Sequence, residues 1–315
     1  MTQVLALSGG IGGAKLALGL QHILAPGALT VAVNTGDDFE HLGLAICPDI
    51  DTMLYTLGGV SNTELGWGRD GDSWNFMAEI ERLGGDTWFR LGDKDLAVHI
   101  ERTRRLAAGE SLAAITADFA RRFSVLSRVV PMSDDLVRTM VVSNEGTLDF
   151  QHYFVARRCE PAVTSLAYAG AADALLPAEI EQLLEQPTLE AIIICPSNPW
   201  LSIAPFLEIP AWRAALQETT VPVIAVSPLI AGQAVKGPTA KIMSELQLEV
   251  SSVTVAQYYD DLIDGFVLDS SDAHLASQIG VATHVTGTLM KTTADKQRLA
   301  REVLAFAKSF RSIQL

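Results

Sequence analysis

The sequence predicts an α/β fold: a Rossmann-like, largely parallel sheet with helices on both faces. Two observations lead there. Short runs of buried-type residues alternate with helix-period segments along most of the 315 residues. Nearly every glycine-, proline- or polar-rich turn directly follows one of those short runs, as loops at the carboxyl edge of a parallel sheet do.

The elements follow in order. Gln3–Ser8 reads as a buried strand and Gly12–Leu24 as the helix after it. Leu29–Asn34 is a second strand, continuous in aliphatic and β-branched residues, as expected where both faces are covered. Asp51 is in position to cap a helix over Thr52–Leu57. From about Trp74 to Phe123 the period becomes helical, with Phe76, Ile80 and Leu83, then Leu112, Ile115, Phe119 and Phe123. This marks a helical insert, about 60–127, inside a single Rossmann-like domain of 1–315. Val137–Ser143 and Thr147–Ala156, joined by Asn144-Glu145-Gly146, read as a hairpin. Further strands are expected at Ala162–Ala167, Ala191–Cys195, Val221–Val226 and Phe266–Leu268, with a closing helix over Ala294–Phe310. Helices between strands imply parallel pairing with right-handed crossovers.

Composition bounds the function. The formal net charge of −14 argues against nucleic acid, whose phosphates need clustered cations. An apolar fraction of 49% supplies a core, yet no run approaches the ~18 apolar residues of a membrane span. The start of the chain has no basic flank and runs directly into a glycine turn, unlike a signal peptide. Cys47, Cys159 and Cys195 are far apart, so neither a disulfide framework nor a zinc site is expected. A reduced, cytoplasmic setting fits. The apolar content and the hairpin at 137–156 suggest a homodimer.

Five turns after strands gather the candidate chemistry. Gly9, Gly10, Gly12 and Gly13 open a helix, where free backbone N–H groups suit phosphate. Lys15 stands where a dinucleotide fingerprint has its third glycine and is not placed as in a Walker A loop; it either assists phosphate or lies in solvent. Asp37 and Asp38 follow the second strand, and Asp49 and Asp51 open the next helix. These carboxylates offer the hard oxygen ligands that Mg2+ takes; capping by Asp51 and solvation of Asp38 are the competing readings. The other turns are Ser197-Asn198 between prolines, Ser227–Gly232 and Asp269–Asp272. Arg90, among aromatics and beside a glycine turn, is a ligand candidate. Lys236 and Lys241 add positive charge, and Arg102 and Arg105 read as a surface helix face. No GxSxG elbow supports a Ser-His-Asp hydrolase.

Together these segments resemble the 2-phospho-L-lactate transferase family of coenzyme F-420 biosynthesis. The resemblance rests on Gly9–Lys15, Asn34-Thr35-Gly36-Asp37-Asp38, Pro48–Thr52 with Tyr55-Thr56-Leu57, Gly66-Trp67-Gly68, and Leu91–Asp95 with His99. It continues through Pro131–Asp135, Phe150-Gln151, Pro196–Pro199, Ser227-Pro228 and Lys236-Gly237-Pro238. It implies transfer of a phosphorylated three-carbon acid (2-phospholactate, phosphoenolpyruvate or 3-phosphoglycerate) from its guanosine diphosphate-linked form. The acceptor would be the ribityl hydroxyl of the deazaflavin Fo, with GMP released, F-420-0 or an analogue formed, and Mg2+ assisting.

By motif it places Asp51 and Arg90 against the deazaflavin. Gly9, Gly10, Gly12, Gly13, Lys15, Ser197 and Asn198 would face nucleotide and phosphate, and Asp37, Asp49 or Asp51 the metal. Asp37 and Asp51 are the catalytic candidates. Cys195 and Ile11 depart from the family's usual glycine and threonine, and Ile11 removes a hydroxyl near phosphate. A non-catalytic nucleotide-sugar-binding regulator is the alternative. An NAD-dependent dehydrogenase is weakened by the missing third glycine and the missing acidic residue after strand two.

Overall fold

The structure, a computed structural model, describes residues 2–234 and 237–311. Lys236 lies outside them. The chain runs β1 (Gln3–Ser8), α1 (Gly10–Ile23), β2 (Leu29–Val33), β3 (Phe39–His41), β4 (Leu44–Ile46) and α2 (Pro48–Leu57). The insert holds α3 (Asn75–Arg82), α4 (Asp93–Ala107) and α5 (Leu112–Arg122). Then come β5 (Arg128–Pro131), β6 (Arg138–Ser143), β7 (Gly146–Asp149), β8 (Val163–Ala169), α6 (Ala178–Leu184), β9 (Leu189–Ile194), α7 (Ala204–Leu207) and α8 (Pro210–Glu218). The rest is β10 (Val223–Val226), β11 (Leu229–Ile230), β12 (Gln233–Ala234), α9 (Thr239–Glu245), α10 (Ser252–Tyr259), β13 (Gly265–Asp269), β14 (Ala282–Thr286) and α11 (Thr293–Arg311).

Seven strands form one parallel sheet in the order β14-β13-β10-β9-β1-β2-β5. Its centre reads as continuous apolar sequence because both faces are covered. In β1, Val4 and Ala6 join a cluster with Leu16, Leu20, Ile50, Leu54, Leu299 and Val303 of α1, α2 and α11. Leu5 and Leu7 face the opposite cluster, with Ile180, Phe206, Trp212 and Tyr259. Fully buried Trp212 satisfies its indole N–H on the carbonyl of Met132 at 2.8 Å.

Several expectations need correction. The strand expected at Ala162–Ala167 exists as β8, but pairs antiparallel with β6 in a separate sheet, β7-β6-β8. Alternation predicts a strand and not which sheet it joins. The second hairpin strand ends at Asp149, and the chain coils into a wide helical turn at His152–Ala156. The hairpin's Val141 packs inside the chain with Phe150, Tyr153 and Val163, while Phe154 of the same segment stays exposed. The edge strands β5 and β14 and the small β3–β4 hairpin were not anticipated. Helix α2 begins at Pro48, four residues before Thr52, so Asp51 lies inside its first turn and does not cap it.

Candidate active site

The carboxyl ends of β1, β2, β9 and β10 open into one cleft of about 700 Å³, within the size range of small-molecule sites. Its floor is the turn from β1 into α1. Gly10 has φ +65°, a backbone conformation in which side chains are strained. Gly12 lies so close to the Pro196 carbonyl that a Cβ there would collide with it. That approach locks the glycine turn to the Pro196–Ser197 loop. Ser197 Oγ accepts from Gly9 N–H at 3.1 Å and donates to the Gly9 carbonyl at 2.8 Å. Ile11, Gly12 and Lys15 line the cleft, with the first-turn N–H groups of α1 at its floor.

Ser197 and Asn198 also line the cleft, but their side chains are spent holding loops together. Asn198 Oδ1 caps the following turn, accepting from Trp200 N–H at 3.0 Å and Leu201 N–H at 3.1 Å, while its amide donates to Thr239 Oγ1 at 3.0 Å. Of the five turns, Asp269–Asp272 stays behind the wall: Asp269 accepts from Thr288 N–H at 2.7 Å, and Thr288 meets the cleft instead.

Asp37 and Asp49 both reach the cleft beside the glycine turn. Gly10 N–H donates to Asp49 Oδ1 at 2.6 Å, and Gln151 donates to Asp37 Oδ2 at 3.1 Å. Asn34 lies between the carboxylates, donating to Asp37 Oδ1 at 3.1 Å and Asp49 Oδ2 at 3.0 Å. Its own Oδ1 accepts from Gly36 N–H at 2.9 Å, which fixes the amide's orientation. Burial, then the charges of Asp49 and Asp38, push the Asp37 carboxyl well up. Burial pushes Asp49 to about 6 against the pull of its Asn34 and Gly10 hydrogen bonds. Asp38 is also raised by burial, to about 7, despite Arg138 and Cys47; it does not line the cleft.

Asp51 points elsewhere. Arg102 grips it through both terminal nitrogens, one at 3.0 Å to Oδ2 and a shorter contact to Oδ1. The same guanidinium reaches the Ala45 carbonyl at 3.3 Å. His99 lies 3.6 Å from Asp51 and 3.4 Å from Asp95, and Tyr55 donates to Asp95 at 2.5 Å. Asp51, Asp95 and His99 are close enough together to hold an ion, but Arg102 already supplies the cation. Arg102 is 1% exposed, which overturns its reading as a surface residue; Arg105 pairs with Glu110 and Asp118.

Across the cleft the wall is apolar and aromatic: Trp67, Trp88, Phe89, Phe150 and Phe154, with Arg90 among them. Phe89 meets Phe39 and Trp88 edge to face, and Trp88 meets His41 the same way, while Trp88 lies tilted against Phe39. Sequence reasoning gave no role to Asn34, Gln151, Trp67 or Phe154. Asn34 and Gln151 stood in the matching segments, and only their contacts with Asp37 assign them one.

The 2-phospho-L-lactate transferase (CofD) family model matches residues 4–305. The chain belongs to this family. It is a transferase. Similar relatives include a phosphoenolpyruvate transferase of Kitasatospora aureofaciens, 37% identical over 98% of this chain and 99% of that one. A 2-phospho-L-lactate transferase of Methanosarcina mazei is 35% identical over 96% and 99%. A crystal structure of a UPF0052-family protein from Bacillus halodurans superposes with TM-score 0.62 at 12% identity, covering 96% of this chain and 98% of that one; at that identity it speaks for the fold alone. Among the described residues no helix is long and apolar enough to cross a membrane.

Proposed function

We propose that this family member transfers a phosphorylated three-carbon acid from a guanosine diphosphate-linked donor to the ribityl hydroxyl of the deazaflavin Fo, releasing GMP in F-420 biosynthesis. The observation that carries the reading is a single cleft with two unlike halves. One half is a glycine turn at a helix N-terminus beside paired carboxylates, which suits a diphosphate. The other is an aromatic wall with one guanidinium, which suits a planar heterocycle.

Asp37 and Asp49 fit a magnesium ion. Their hydrogen-bond donors Asn34, Gln151 and Gly10 are neutral, and the charges that bear most on Asp37 are further carboxylates. A diphosphate placed against this pair needs a cation between them. When bound, Mg2+ would neutralise charge gathering on the departing GMP. The protein's own part is positioning: the glycine turn and the Ser197 loop fix the phosphates, and the aromatic wall brings the ribityl chain to the phosphorus. We propose that it works in the cytoplasm and, from its apolar content, as a homodimer; a monomer by light scattering at micromolar concentration would refute the latter.

The relatives named above carry two different acids in their names. Incubation of the protein with Fo, Mg2+ and each guanosine diphosphate-linked acid, read by product mass, tests the reading and selects the acid. GMP and one new deazaflavin product are expected. No product from any of the three acids would overturn it.

A further inference from the structure

Arg90 is exposed, and among the described residues no carboxylate pairs with its guanidinium. On a chain of net charge −14 that is unexpected, because a free arginine readily finds an acid. Its one described contact is aromatic: the guanidinium carbon lies 4.4 Å from the centre of the Trp74 ring. Trp74 also meets Trp67 edge to face, with centroids 5.7 Å apart. Trp67 and Arg90 both line the cleft, whereas Trp74 stands behind them.

The segment carrying Trp74 is itself pinned. Asp93, at the start of α4 and three residues past Arg90, accepts from residues on either side of the indole. Ser73 Oγ donates to it at 2.7 Å, Asn75 Nδ2 at 2.8 Å and Phe76 N–H at 3.0 Å. The chain before α3 and the chain before α4 are thereby clipped together, and the indole is held under the arginine. A guanidinium lying on an indole keeps its in-plane N–H groups for another partner.

We infer that Trp74 is a positioning residue that sets Arg90 and Trp67 as one recognition element for a flat heterocycle with in-plane oxygen acceptors. Trp67 supplies an aromatic surface and Arg90 donors directed at the ring's carbonyl edge. The inference rests on the reading that the aromatic half of the cleft takes the deazaflavin.

The test is titration of Fo, followed by deazaflavin fluorescence, and separately of GMP, against purified wild type, Trp74→Phe and Trp74→Leu, with melting temperatures alongside. Losing the ring and the arginine's fixed pose should weaken Fo binding about tenfold in Trp74→Leu. Trp74→Phe, which keeps a π face, should recover much of that, and GMP binding should not change. Arg90→Ala should add little to Trp74→Leu, since both remove the same element. Wild-type Fo affinity in Trp74→Leu, or equal weakening of both ligands, overturns the inference. If Trp74→Leu does not fold, Fo affinity must still fall in the order Trp, Tyr, Phe at this position, and a flat or reversed order overturns it. If wild type binds GMP but not Fo, the acceptor reading itself fails.

Discussion

Asp37 and Asp49 accept from the same nitrogen, Asn34 Nδ2, at 3.1 and 3.0 Å. Two residues twelve positions apart in sequence, at the end of one strand and the start of one helix, are thus held side by side by a neutral donor. That arrangement settles their separation without neutralising their charge. A cation arriving with a diphosphate would find two carboxylates already in place.

Asp37→Asn keeps the side chain's shape and removes its charge. The variant should fold and lose on the order of 100-fold or more in turnover, by analogy with deleting one preorganised electrostatic group. Activity should vanish in EDTA and return with Mg2+. Full turnover in EDTA would refute the metal role, and wild-type turnover in Asp37→Asn would shift the metal toward Asp49.

The same pair predicts how the metal-free protein responds to pH. Burial raises Asp37 well above its ordinary value of 3.8 and Asp49 to about 6. Because the fold favours the protonated forms, ionisation works against it. Stability from this pair is therefore present in acid and is lost as pH rises from the unfolded value through the folded ones. In EDTA, the melting temperature should begin to fall above about pH 4, continue to fall through about pH 6 where Asp49 ionises, and go on falling above that as Asp37 follows. Mg2+ should flatten the decline, as should Asp37→Asn. An equal slope in the Asn variant would trace the effect to other groups.

The glycine turn gives a steric prediction. A Cβ on Gly12 would meet the Pro196 carbonyl, which is backbone and can yield only if its loop moves. Gly12→Ala should therefore shift the Pro196 loop and weaken GMP binding, and it should lower the melting temperature as well. At Gly27, where nothing lies within 4 Å of the added carbon, the φ of +76° leaves only backbone strain. Gly27→Ala should lower stability while sparing GMP affinity, so equal nucleotide affinity in the two variants would contradict the packing argument.

Much of this site was legible in the sequence because turn chemistry is local. Glycines after a strand, and aspartates after the next, announce themselves by neighbours a few positions away. The sequence put Asp49 and Asp51 together as one acidic set, and the capping reading of Asp51 started the helix at Thr52; the structure starts α2 at Pro48 and separates the two carboxylates. With Pro48 at the first helical position, a favoured place for proline, Asp49 and Asp51 fall two residues apart on a helix and face different sides. Arg102 had a signal too: Asp95, His99 and Arg102 recur at helical spacing, a polar stripe that turns inward here. Nothing local could show that Gln151 meets Asp37 across 114 positions.

Asp51 is set apart from Asp37 and Asp49 by its pairing with Arg102. Its carboxylate and the Arg102 guanidinium are both buried, and they clamp the first turn of α2 to α4 and to the Ala45 carbonyl. Removing one partner leaves the other's charge stranded away from water, which costs about 3–5 kcal/mol. Asp51→Asn and Arg102→Met should each lower the urea midpoint strongly. The double variant should be less destabilised than the two single losses added together, because no lone buried charge remains. Mn2+ affinity, measured by calorimetry on folded protein, should be retained in Asp51→Asn and reduced in Asp37→Asn. The reverse outcome, unchanged stability with lost cation binding in Asp51→Asn, would return Asp51 to the metal site and leave Arg102 as its charge partner only in the metal-free state.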